Sequence, residues 1–287
     1  MCIRDRVRAI QMATINTAQH FAIDDTIGGI APGKYADILI IPELRTIQPE
    51  YVISNGQIIA KDGQLLVPPR KHTYPKTAQN SIHLPRNFTA NDFAIPAKNR
   101  RVKLRVIDLI TDSITREAIM DMPVSDGLVG VDISQDILKI AAIERTYQQG
   151  KTFVGFIRGT GLRQGAIASS LPTDCWTIVV IGASDADMAQ AVNRIRELGG
   201  GTVVCADNKV LAELALPIGG IVSPEPMETI ADKLGNIQQA AANLGCVLPN
   251  VSNTLAFLAS ESVPFLRICE QGLIDIRQNR IVGLMVD

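Results

Sequence analysis

Histidine is scarce in this chain. The 287 residues include three, His20, His72 and His83, widely separated and in no metal-ligand spacing, so a His-rich zinc or binuclear site cannot be built from this chain alone. Aromatic residues are also few, at 4% against 46% hydrophobic residues in all, and the expected core is therefore Ile, Val, Leu and Ala. Neither sign of charge dominates. The 28 Lys and Arg residues balance 29 Asp and Glu for a net −1, which leaves no electrostatic footprint for nucleic acid or an anionic membrane. No apolar run reaches the roughly 18 residues of a membrane span. The charges at Arg4, Asp5, Arg6 and Arg8 have no apolar stretch behind them to make a signal peptide. The five cysteines are odd in number and include no C-x-x-C pair, which suits reduced, mostly buried thiols in a cytoplasmic protein.

The residues that are present suggest several regions. The first six, MCIRDR, read as a translated sequencing adapter, so residues 1–6 are set aside as a non-native leader and the true protein is expected to begin further upstream. Residues 7–21 carry an approximate helical stripe of Val7, Ile10, Met12, Ala13, Ala18 and Phe21. Strands are expected at 38–41, 51–54 and 57–60, the last two joined by Asn55-Gly56, because both positions of such a hairpin turn need φ > 0. Residues 67–101 are Pro-rich and polar and read as a connector wrapped over a surface.

From 102 onward, strand-like runs occur at 103–109, 138–144, 152–157, 166–169, 177–181 and 202–206. Two helices interrupt them. Ser184 caps the first, with Asp187 at the capping-box position and Gly199 as its stop. The second is expected to start with Ser223 as N-cap and Pro224 as first helical residue, to bury a stripe from Met227 to Leu244 over about six turns, and to end at Gly245. The fold class is α/β of mixed α+β character.

Chemical motifs are sparse. The glycines of RGTGLRQG are spaced G-x-G-x-x-x-G and precede a strand-like run, so the dinucleotide fingerprint fails and a turn is the simpler reading. Cys175 follows a strand at a Pro-containing turn, a position where α/β sheets place functional groups, but a small buried thiol is the favoured reading, since nothing cationic nearby would lower its pKa. Asp132 and Asp136 could form a general acid/base couple, but DISQDILK reads equally well as a polar turn before a strand, and the pair is assigned mainly a capping role.

The segment MATINTAQHFAIDDTIGGIAPGKYADILIIPEL resembles the last barrel helix and returning β-sandwich strands of the amidohydrolase superfamily, through Ala13, Thr14, Asn16, Ala18, Gly29, Ile30, Gly33, Ala36 and Asp37. There Gly33 permits a turn, Asp37 can hydrogen-bond its own backbone, and residues 38–41 would enter the sandwich core. The stretch from VIDLITDSITREAIMDM to IRELGGG, then LPIGGIVSPEP and LAFLASESVPFLRICEQGLIDI, is similar to the C-terminal domain of the adenine deaminase family. Four regions follow from the resemblance: 1–6 leader, 7–66 barrel helix and sandwich strands, 67–101 connector, and 102–287 C-terminal domain.

The resemblance implies a hydrolase of purine catabolism that turns adenine and water into hypoxanthine and ammonia. It also implies a divalent metal centre, manganese or iron with zinc as a third option, where metal-bound hydroxide attacks the ring carbon. Its partners would be a small-molecule purine and further copies of itself. The family's ligand-bearing barrel lies outside this chain, so the chain alone is expected to be inactive.

Within the domain present, a Glu-Arg-His stretch survives as Glu144, Arg145 and Thr146. A His-Asp-Ser-His-Asn motif has become Thr173, Asp174, Cys175, Trp176 and Thr177. Hydroxyls and an indole replace imidazoles that titrate near neutral pH. Carried over position by position, the resemblance implies Asp174, Glu144 and Arg145 as catalytic residues and Ser170 and Cys175 as substrate-binding ones, with no metal ligand. The bland alternative is that Glu144 and Arg145 close a strand end by mutual pairing and Asp174 caps a turn. A second hypothesis is a non-catalytic purine-binding or assembly protein derived from the same family.

Overall fold

The computed structural model describes residues 3–68, 71–79, 81–147, 150–172 and 174–286. Met1, Cys2 and Thr173 therefore lie outside the described residues. The chain divides into two compact units, Met1–Lys71 and His72–Asp287.

The first unit opens with α1 (Ile3–Ala13) and α2 (Ile15–His20), so the helix expected over 7–21 starts earlier and breaks at Thr14, whose φ and ψ of −124° and −97° are not helical. An antiparallel sheet follows, in the order β1 (Ile38–Ile40), β2 (Tyr51–Ser54), β3 (Gln57–Lys61) and β4 (Gln64–Leu65). Asn55 and Gly56 turn between β2 and β3 with φ of 48° and 79°. Asp37 does not bond its own backbone as expected. Its Oδ1 accepts from Asn55 N at 2.8 Å and Ser54 Oγ at 3.0 Å, so it braces the hairpin turn across the sheet. Nor do residues 38–41 enter a core, since Leu39 and Ile40 are exposed.

The second unit is mixed α/β, built on a ten-stranded sheet. Nine of its strands are β5 (Arg101–Leu109), β6 (Thr115–Ser125), β7 (Leu128–Val129), β8 (Ile137–Glu144), β9 (Thr152–Arg158), β10 (Ala166–Ser169), β11 (Thr177–Gly182), β12 (Gly201–Ala206) and β13 (Lys209–Ala215). The helices are α3 (Asp185–Leu198), α4 (Met227–Asn243) and α5 (Val251–Leu258). A hairpin sheet of β14 (Leu266–Cys269), β15 (Gly272–Asp275) and β16 (Arg280–Val282) follows, and β17 (Met285–Val286) returns to pair with β5. The order β13-β12-β10-β11-β8-β9-β5-β6-β7 is antiparallel throughout except for the parallel pair β5 and β9.

All eight residues of β8 are buried. Its side chains alternate between two cores, as the period of a strand requires. Ile140 and Ala142 pack with α4, α5 and β14–β15, while Ala141 and Ile143 pack with α3. A strand covered on both faces reads as a near-continuous apolar run rather than an alternating one, interrupted here by Lys139, whose Nζ donates to Asp185 Oδ2 at 2.6 Å.

Three expectations are corrected here. The Pro-rich segment does not merely run over the surface: Ile82, Leu84, Phe88, Phe93 and Ile95 are buried. Asn193 of α3 ties it down by bonding both Phe88 N and Phe88 O. The second long helix begins at Met227 with Pro226 as N-cap, and its buried residues are Ile237 and Ala241. Ser223 Oγ instead accepts from Glu225 N in the preceding turn. Ser184 caps α3 as expected, but the Asp187 carboxylate accepts from Asn208 N rather than completing a capping box.

Ile140→Ala at the middle of β8 is expected to cost about 2–5 kcal/mol, because the close-packed core around it relaxes only in part into the vacated volume. Ile119→Ala on the exposed face of β6 should cost under about 1 kcal/mol. Urea unfolding of the two variants checks the contrast.

Candidate functional site

Antiparallel register places the candidate residues at one end of the sheet. Glu144, the last residue of β8, pairs with Thr177, the first of β11, and Val179 of β11 pairs with Ser169 at the end of β10. Strand ends 33 residues apart in sequence thus become neighbours, and the turns that follow them share one edge.

Arg145 is the centre of that edge. It is fully buried, with its guanidinium donating to the carbonyl oxygens of Gly219 at 3.2 Å, Ser81 at 3.4 Å and Ser170 at 3.4 Å. Its carbonyl accepts from His83 N at 2.7 Å. The indole of Trp176 lies over its guanidinium, 5.3 Å from ring centroid to Cζ. Burial pulls the Arg145 pKa down to about 10, against the opposing attraction of Glu144. Gly220 is required beside it: φ is +75°, and a Cβ there would sit 2.6 Å from Arg145 Nη1.

Ser170 is also buried. Its Oγ donates to Gly220 O at 2.6 Å and accepts from Gly201 N at 2.8 Å, stitching the 216–222 loop to the start of β12. Glu144, 4% exposed, accepts from the backbone N–H groups of Thr146 at 2.6 Å and Tyr147 at 2.5 Å. Its carboxylate shapes the turn after β8.

Asp174 and Cys175 face a different neighbour. Asp174 is exposed, and its Oδ2 accepts from Ser260 Oγ at 2.5 Å, which lies 2.9 Å from Ser262 Oγ. Cys175 Sγ donates to Ala259 O at 3.2 Å and approaches Glu261 Oε1 at 3.6 Å. The structure therefore gathers Arg145, Ser170 and Trp176 into one contact group and sends Asp174 and Cys175 to the 259–262 loop.

Sequence reasoning missed Ser81, His83, the Gly219-Gly220 turn and Ser260. Only the paired glycines carried a local signal. Ser81 meets Arg145 across 64 positions of sequence, which no motif spacing reveals.

The alternative sites are filled by structural bonds. Gly159 N and Gly161 N of RGTGLRQG both donate to the Asp136 carboxylate, at 2.8 and 3.0 Å, so a side chain of the protein occupies the loop that a phosphate would need. Asp132 caps its turn by accepting from Gln135 N. Among the described residues no group of three or more His, Cys, Asp or Glu side chains could hold a metal ion. All three histidines are exposed.

Comparison with known proteins bears on the same residues. Residues 112–280 match the adenine deaminase C-terminal domain, and residues 5–65 match the amidohydrolase family. The adenine deaminase of Desulforamulus reducens is 39% identical over 282 residues, covering 98% of this chain and 48% of that protein. Those of Moorella thermoacetica and Kosmotoga olearia are 39% and 37% identical, covering 97% and 98% of this chain and 47% and 48% of their own lengths. The chain spans about half the length of the curated relatives it matches. Among the described residues no helix is long and apolar enough to cross a membrane.

Burial, reinforced by the Glu261 carboxylate, pushes the Cys175 thiol up to about 12. The thiolate is the nucleophile, so a raised pKa leaves less of it at neutral pH. Iodoacetamide should therefore modify Cys175 in the folded chain more slowly than a free cysteine peptide near neutral pH, and the rate should climb as pH approaches 12. Peptide mass spectrometry of timed samples reads the outcome.

Proposed function

Because this chain belongs to the adenine deaminase family, we propose that it is the C-terminal part of a hydrolase converting adenine and water to hypoxanthine and ammonia. One observation carries the reading. An amidohydrolase match over 5–65 is followed in the same chain by an adenine deaminase C-terminal match over 112–280. In this reading residues 7–66 are the last barrel helix and sandwich strands, 67–101 the connector, and 102–287 the C-terminal domain. The complete protein is a cytoplasmic homo-oligomer acting in purine catabolism.

The family's divalent metal, manganese or iron with zinc as a third option, does not fit the residues present. The histidines are exposed and dispersed, and no cluster of donors forms among the described residues. The ligands are assigned to the remainder of the complete protein, and no step is routed through a metal here.

What this chain supplies is a shaped edge. Asp174 is the one exposed carboxylate among the five site residues and is held in place by Ser260, so it can accept a proton or hydrogen bond from the amino group of the substrate. Glu144, Arg145 and Ser170 are buried and act through the turns they hold. Cys175, kept as a neutral thiol whose S–H is directed at Ala259 O, adds a neutral, weakly polar wall beside Asp174.

A second reading is favoured by Thr146, Trp176 and Thr177, none of which titrates near neutral pH. On that reading the protein binds a purine or assembles without deaminating it.

The isolated chain, loaded with Mn²⁺, Fe²⁺ or Zn²⁺, is expected to release no ammonia from adenine, and the complete protein to release it. Purine binding by the complete protein without ammonia would favour the second reading. In the complete protein, Asp174→Ala should lower kcat/KM by about 100-fold or more, as loss of a proton-transfer group does, with the thermal midpoint unchanged. Unchanged turnover at unchanged stability would remove Asp174 from the catalytic list.

A further inference from the structure

Buried polar atoms without hydrogen-bond partners are uncommon in folded proteins and call for an explanation at each site. Four such atoms in this structure, Ser81 Oγ, Arg145 Nε, Thr146 Oγ1 and Thr177 Oγ1, belong to one sheet end. Ser81 and Thr146 adjoin Arg145 through a hydrogen bond and the peptide link, and Thr177 stands opposite Glu144 in the register. Arg145 and Thr177 are fully buried. Three of the four are hydroxyls, able to donate or accept, and the fourth is a single guanidinium N–H. All four are closed off from solvent, so they mark a polar interior behind the indole of Trp176 rather than contacts for a ligand.

Trp176 belongs to the same place and is unusual in two ways. Its φ is +50°, a left-handed conformation that a bulky residue rarely adopts and that tends to mark functional positions. The residue is 41% exposed, although one side of its indole lies against the Arg145 guanidinium. A rigid ring is thus fixed from below by a cation and left open above. The outer face of such a ring is a stacking surface for a planar base.

We propose that Trp176 is the stacking platform of a purine subsite, the outer face of its indole taking the base while Arg145 holds the ring from beneath. The choice of a purine rests on the adenine deaminase reading above. The platform itself rests on the exposure, backbone conformation and support of the indole.

Trp176 is the single tryptophan of the sequence, so its emission reports this residue alone. Adenine and hypoxanthine are titrated into this chain with excitation at the red edge of tryptophan absorption, and D-ribose serves as a control without a stacking face. Saturable quenching by the purines and none by ribose is expected. Equilibrium dialysis with adenine should show Trp176→Ala binding weakened by about tenfold or more and Trp176→Phe by less than about threefold, since a phenyl ring preserves stacking. Circular dichroism establishes that both variants fold.

Equal adenine affinity in Trp176→Ala, or no saturable quenching in the folded parent chain, overturns the proposal. Self-association that Trp176→Ala abolishes, without purine quenching, also overturns it by assigning the indole to a protein contact. Failure of the complete protein to deaminate adenine while quenching persists refutes the hydrolase reading alone. Deamination with no quenching and an unchanged KM in Trp176→Ala refutes the platform alone.

Discussion

Every residue of strand β8 is buried, and that constraint organises the larger unit. A strand buried on both faces needs a layer on each side. One layer is α3 with the segment around Phe88 and Phe93, and the other is α4, α5 and the β14–β15 hairpin. The neighbours β9 and β11 satisfy its backbone along both edges. Each buried Ile or Val of this centre contributes on the order of 1.5–3 kcal/mol relative to exposure. Order at the centre of the sheet is therefore secure enough to hold less favourable features at its end.

Arg145 is the clearest such feature. The residue after β8 is carried directly from the apolar strand into a fully buried position, with carbonyl oxygens from three separate segments as its acceptors. Withdrawing a guanidinium from water is costly, and carbonyl dipoles compensate only in part. Glycine at 220 lets the loop approach the guanidinium, and Ser170 fastens that loop to β12. Core packing thus supports a polar cluster at the strand ends, whose Arg145, Ser170 and Gly220 lie within the residues that match the adenine deaminase C-terminal domain.

Much of the local structure was legible in the sequence. The β8 run ILKIAAIE, the Asn55-Gly56 turn, the Ser184 cap and the Gly199 stop each depend on chemistry within a few residues. β6 was not legible, because TREAIMDMPVS mixes charges with Met and Ala and contains Pro123, so neither period stands out. The connector misled in the opposite direction. Its prolines signal irregular backbone correctly, but irregular backbone can still bury Phe88 and Phe93 when a helix side chain such as Asn193 satisfies its polar groups.

By itself the sequence determined the mixed α/β class, the family and the absence of a His-rich metal set. Those properties reside in composition and in short contiguous patterns. Only the tertiary structure decided that Arg145 is a buried support under Trp176, that Asp136 fills the glycine loop, and that Asp174 answers to Ser260. Each of those pairings joins segments far apart in the chain. Antiparallel register and close packing, rather than any spacing along the sequence, bring them within hydrogen-bond reach.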